Sequence, residues 1–191
     1  TLNGIEKWTY TGIVTLTGPC ADWTFSITEC CRNAAVTNLA NPAGENAYYS
    51  AMLNNLAVPF NSSVKMASDP VPYLYSGRSN YYNNGAYDAE NDSIVVTLVD
   101  ALGGPGTPVA YTSGFSGTNP VTSIPAMSVD PSNGNIFATP TTAEVDIVAF
   151  RIEEYRNGTL IGYITRDIQI TVLPTSNSLP GLAASGGFIH N

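Results

Sequence analysis

The chain has 191 residues, 43% of them apolar and only 12% charged, with a formal net charge of −8 from seven Lys+Arg against fifteen Asp+Glu. That length exceeds the roughly 100 residues of one ordinary sandwich and accommodates two, while the scarcity of Lys and Glu disfavours helix. The acidic balance excludes attraction to phosphate backbones or anionic lipid, and no run approaches the roughly 18 apolar residues of a membrane helix. Gly 17, Pro 13 and Tyr 11, with abundant Thr, Val, Ser and Asn, describe many short strands joined by turns. The predicted class is all-β, arranged as two tandem β-sandwich domains.

In chain order, Thr1 in place of an initiator Met reads as the start of an excerpt from a larger or processed polypeptide. The first predicted domain, 1–67, carries strands at 8–17, 23–28 and 47–54, the last alternating Tyr49, Ala51 and Leu53 with smaller or polar neighbours. Between the second and third lies a loop, 38–46 (NLANPAGEN). Polar, Pro-bearing sequence at 59–72 places a boundary near Ser68. The second predicted domain, 68–174, holds the β-branched run Ser93–Val99 and the dipeptides Asn133-Gly134 and Asn157-Gly158, which accept the positive φ of tight hairpin turns. Its last hairpin is the best marked. Ile164, Ile168, Ile170 and Val172 share one face, and Thr165, Asp167, Gln169 and Thr171 the other, with 145–155 as the partner strand across 156–159. The Ser-, Gly- and Ala-rich tail, 175–191, reads as a linker. Residues 68–191 hold eleven of the fifteen acidic side chains.

Cysteines occur at Cys20, Cys30 and Cys31, and the lone His190 is in the tail. Zinc lacks a fourth soft ligand. A disulfide from Cys20 to Cys30 or to Cys31 fits an exported protein better. Adjacent residues of a strand point to opposite faces, so only one of the two would face Cys20.

Several motifs together resemble a known family. They include Cys20-Ala-Asp-Trp-Thr-Phe-Ser, Cys30-Cys31-Arg32-Asn33-Ala34, Asn83-Asn84-Gly85-Ala86-Tyr87-Asp88, Val129-Asp-Pro-Ser-Asn-Gly-Asn-Ile, Val148-Ala-Phe-Arg-Ile-Glu-Glu-Tyr-Arg-Asn-Gly and Arg166-Asp167-Ile168. From about residue 11 to 172 the chain resembles modules of the large SprB-type gliding-motility surface adhesins of Bacteroidetes. Its second half also resembles cadherin-like and Ig-like bacterial adhesin domains. The resemblance implies Ig-like or cadherin-like sandwiches and an exported, cell-surface adhesive or spacer role. It further implies neighbouring domains of the same polypeptide as partners and calcium held by an acidic turn, and it does not identify the ligand, a surface polysaccharide or other extracellular molecule.

In this chain that turn is Asp88, Glu90 and Asp92, with carboxylates at alternate positions. Calcium takes six to eight oxygens, and Asp167 or Asp69 would complete the sphere if the closing strand lay beside the turn. The competing reading is an Asp/Asn-rich chain reversal with its carboxylates in water. Paired tyrosines, Tyr81 and Tyr82, are candidate ligand contacts, since one ring of a strand pair points outward and exposed aromatics can stack on sugars. They carry the alternative function, a carbohydrate-binding module. Packing at sheet edges is the competing reading. Catalysis has little support: His190 is remote, and adjacent Glu153 and Glu154 point opposite ways on a strand and cannot flank one bond.

Overall fold

The computed structural model describes residues 7–175. Thr1, His190 and all but the first residue of the predicted tail lie outside the described residues. The chain forms β1 (Trp23–Glu29), β2 (Ala47–Leu53), β3 (Lys65–Met66), β4 (Tyr73–Tyr75), β5 (Asn80–Tyr82), β6 (Ala86–Tyr87), β7 (Ser93–Val99), β8 (Leu102–Gly104), β9 (Thr107–Pro108), β10 (Ser128–Val129), β11 (Ile136–Ala138), β12 (Val145–Arg156) and β13 (Thr159–Leu173). The predicted loop 38–46 contains a 3-10 turn at Pro42–Gly44. The class is all-β, as the composition requires.

The largest sheet grows from the β12–β13 hairpin. Its two-residue turn has φ of 52° at Asn157 and 77° at Gly158, the left-handed pair that lets two strands keep their natural twist through a tight reversal. Ile168, Ile170 and Val172 alternate inward on β13 and meet Val148, Phe150 and Ile152 of β12. β7 adds to the other side of β12, and β2 then β1 to the other side of β13, giving the order β1-β2-β13-β12-β7. β4 pairs in parallel with the end of β13. A second, smaller sheet, β10-β11-β5, covers the inward face, where Ile136, Ala138, Val96, Leu74, Val121 and Met127 close the core. Each large side chain buried there contributes roughly 1.5–3 kcal/mol. This is a two-layer sandwich.

On the outward face, Val36 and Leu39 pack against Ala101, Val109, Ile147 and Ala149. β7 pairs with β12 only from Ala149 onward, so the backbone of Ile147 needs another partner. Fully buried Asn38 supplies it: its Oδ1 accepts from Ile147 N at 3.0 Å and its Nδ2 donates to Ile147 O at 2.8 Å and to Pro120 O at 2.9 Å. One side-chain amide stands in for a missing strand residue.

Two expectations from the sequence change here. The boundary near Ser68 is not a break in the sheet, because Leu53, Met52 and Ala51 pair with Gly162, Tyr163 and Ile164. The polar run 59–72 that suggested a cut contributes β3 and the buried Val64 to the main core. The predicted strand 8–17 is not formed. Trp8, Tyr10, Ile13 and Val14 are exposed, and Lys7 reaches Asp69 through a solvent-exposed ion pair, which water and salt screen too well for it to anchor the segment. Alternation gives a segment the preference for a strand, but a ladder partner has to be present to make one. Among the described residues no helix is long and apolar enough to cross a membrane.

Candidate functional site

The acidic residues singled out in the sequence lie in the loop between β6 and β7. Asp88 Oδ1 accepts from the backbone N–H groups of Glu90 at 2.9 Å and Asp92 at 2.7 Å, a side chain closing its own turn. Asn91 sits at φ 63°, a left-handed conformation that asparagine tolerates better than most residues. The tight reversal converges Asp88, Glu90 and Asp92, with a carboxylate oxygen of each within 4.8 Å of the others.

Neighbouring elements already engage two of the three. Ser62 donates to Glu90 from its backbone N at 3.1 Å and its Oγ at 2.7 Å. Arg156, at the end of β12, grips Asp92 at both oxygens, Nε to Oδ1 at 2.8 Å and Nη2 to Oδ2 at 2.6 Å. Asp88 Oδ2 is buried without a partner among the described residues. Three hard oxygen donors, one of them orphaned, form a set suited to a metal ion of the Ca2+ or Mg2+ type. The residues that would hold it are Asp88, Glu90 and Asp92. Their mutual repulsion is relieved in the chain itself by Arg156.

Glu154, weighed in the sequence only as a rejected catalytic partner of Glu153, lies behind this loop. It is 1% exposed, and its Oε2 accepts from Asn61 Nδ2 at 2.9 Å while Oε1 has no partner among the described residues. Burial, reinforced by the negative charges of Asp88 and Asp92, raises its pKa to about 7 against the opposing Asn61 hydrogen bond. Gly162 faces it across the β12–β13 ladder, and a Cβ there would stand 2.5 Å from Glu154 Oε2, so glycine makes the space. The signal was available: Glu154 falls in phase with Val148, Phe150 and Ile152, the inward set of β12. Asp146 is in the same phase and fully buried. Burial and then Glu144 raise its pKa to about 8.

Asp167 and Asp69, proposed to complete the cation site, are elsewhere. Asp167 pairs across β12 with Ala149, itself opposite Val99, whereas the acidic loop leads into Ser93, opposite Tyr155. Six residues of strand separate the two levels, about 20 Å. Asp167 also belongs to the outward set of β13, and its carboxylate meets buried Arg32 at 2.7 Å. Burial raises the Asp167 pKa and Arg32 lowers it. Asp69 is engaged by Lys7.

The expected bridge from Cys20 is likewise absent. Cys30 and Cys31 are bonded to each other across a cis peptide, and Cys20 is free. The rule of opposite faces applies within a regular strand, and both residues lie beyond the end of β1 at Glu29. The tyrosine pair divides as alternation requires. Tyr82 packs against the core and donates its hydroxyl to Asp69 O at 2.5 Å. Tyr81 points outward beside Phe137, their ring centroids 5.2 Å apart and planes tilted by 52°, and both rings are exposed. Glu153 and Glu154 also take opposite faces, Glu153 binding Arg151 and Tyr155 outside. No protein-family profile, curated protein or solved structure matches the chain.

Proposed function

We propose that the chain is a non-catalytic, load-bearing module of a large cell-surface adhesin, exported and displayed outside the cell beside other domains of the same polypeptide. The observation that carries this reading is strand polarity. β1 is antiparallel to β2 and β2 to β13, so the first and last strands of the large sheet run in the same direction. The polypeptide joins that sheet at Trp23, level with Leu53 and Gly162, and leaves it at Leu173, eleven residues further along β13 and thus about 36 Å away. Tension between these points pulls the strands past one another. The ladder hydrogen bonds, perpendicular to the strands, are then loaded together and not one at a time. At the exit, β13 is held by β4 as well.

Calcium at Asp88, Glu90 and Asp92 is part of the same proposal. Calcium accepts irregular oxygen cages, whereas Mg2+ demands a near-ideal octahedron at short distances, and a loop braced by Ser62 and Arg156 offers the former. The ion would tie the β6–β7 connection to the sheet at the end where tension enters.

Single-molecule pulling tests the mechanical reading. Force applied between handles at residues 23 and 175 should need to be well above that applied between residues 23 and 157, which lie at the same end of the sheet and peel it open. Equal unfolding forces in the two geometries would remove the load-bearing role.

A further inference from the structure

Where the outward face of the large sheet emerges from beneath the β8–β9 hairpin, there is an open cleft of about 380 Å3, within the range of small-ligand sites. Its floor is the outward row of three strands: Arg151 on β12, Tyr163 and Thr165 on β13, and Ser50 on β2. The Arg151 guanidinium lies 4.0 Å from the Tyr163 ring centroid, and its Nε donates to Glu153 Oε1 at 2.9 Å. Stack and ion pair together hold the planar fork in one orientation. Its Nη atoms form no hydrogen bond with any described residue, and neither do the hydroxyls of Tyr48, Ser50 and Tyr163, so donors and acceptors face the cleft unused. The opposite wall is apolar, with Leu102, Pro105 and Pro108.

We infer that this cleft binds a neutral polysaccharide, with Arg151 as the polar anchor for sugar hydroxyls and the proline wall against the C–H face of a ring. A fixed, two-nitrogen donor beside a row of hydroxyls matches a ligand that offers adjacent hydroxyls. The site is open along one side, which admits an internal unit of a chain. Charge selects a neutral ligand over an acidic one. Glu153 neutralises Arg151, Asp100 stands on the wall, and the whole chain carries −8, so a polyanion is repelled on approach. The inference rests on the surface-module reading and gives it a ligand class. It places the contact on the sheet face away from Tyr81.

Affinity electrophoresis and calorimetry of the whole chain test it, with soluble glucans, xylan, mannan and galactan as probes and alginate and pectate as acidic counterparts. At least one neutral polymer should retard the chain. Arg151→Met should weaken that binding by roughly tenfold or more, as expected for loss of hydrogen bonds from a charged donor. Arg151→Lys, which keeps the charge and stem but not the fork, should weaken it too, and Tyr81→Ala should leave it unchanged. Silence across the neutral panel, binding confined to alginate or pectate, or neutral binding indifferent to both Arg151 variants would each overturn the assignment. A silent panel in a chain that resists shear leaves the load-bearing role standing without this cleft. Arg151-dependent binding in a chain that yields equally in both pulling geometries does the reverse.

Discussion

Arg32 joins the segment after β1 to the far side of the large sheet, and its removal tests whether the residues before and after 67 unfold together. Its side chain is 3% exposed and meets Asp167, itself 6% exposed, at 2.7 Å. It also donates to Asn46 O and Leu102 O, each at 3.1 Å. Arg32→Met keeps much of the stem volume but leaves a buried carboxylate without its cation. Breaking a buried pair in this way costs about 3–5 kcal/mol. The two carbonyls lose charge-assisted donors as well, so the loss should fall at the upper end of that range. Against a typical total of about 5–15 kcal/mol, that is a large fraction, equivalent to roughly 6–20 °C in melting temperature for a chain of this length. Urea unfolding followed by circular dichroism should show one transition displaced as a whole. Adding Asp167→Leu should recover most of the loss, because an apolar pair of similar volume needs no cation. A loss below about 1 kcal/mol would refute the reasoning on the ion pair. Two transitions, only one of which moves, would refute the cooperative unit.

Three further outcomes are expected. Glu154 has an ordinary pKa of 4.5 when unfolded and about 7 when folded, so the folded state binds its proton more tightly and stability falls as pH rises from about 4.5 through 7. Glu154→Gln should therefore flatten that slope and be more stable than the parent at pH 8 by about 3 kcal/mol, with near-equality at pH 4; a parallel pH profile would count against it. Asn38→Ala strips three buried hydrogen bonds and should lower unfolding free energy by roughly 2–4 kcal/mol, measured in urea; a change under 1 kcal/mol would mean water replaces the amide. Calcium at a hundredfold excess over its Kd should add about 2.7 kcal/mol, visible in thermal melts and reversed by chelator. Asp88→Asn, which keeps the Oδ1 of the turn, should abolish that gain, and a melting curve indifferent to calcium would leave the loop as a chain reversal braced by Arg156.

The features legible in the amino-acid sequence were those set by neighbours along the chain. The two-residue period of Ile168, Ile170 and Val172, the Asn157-Gly158 turn and the β-branched run at Ser93–Val99 specify the β12–β13 hairpin and β7, because side-chain direction and turn conformation are local properties. The acidic loop was legible for the same reason, since alternate carboxylates on a short reversal have nowhere to go but together. What the tertiary structure decided depends on residues far apart in sequence. Ala51 beside Ile164 joined the segments on either side of the expected boundary, and the lack of a ladder partner left 8–17 outside the sheet. Asp167 turned outward to Arg32 and Glu154 inward behind Asp88, because a strand's alternation orders its two faces but leaves open which layer will cover each.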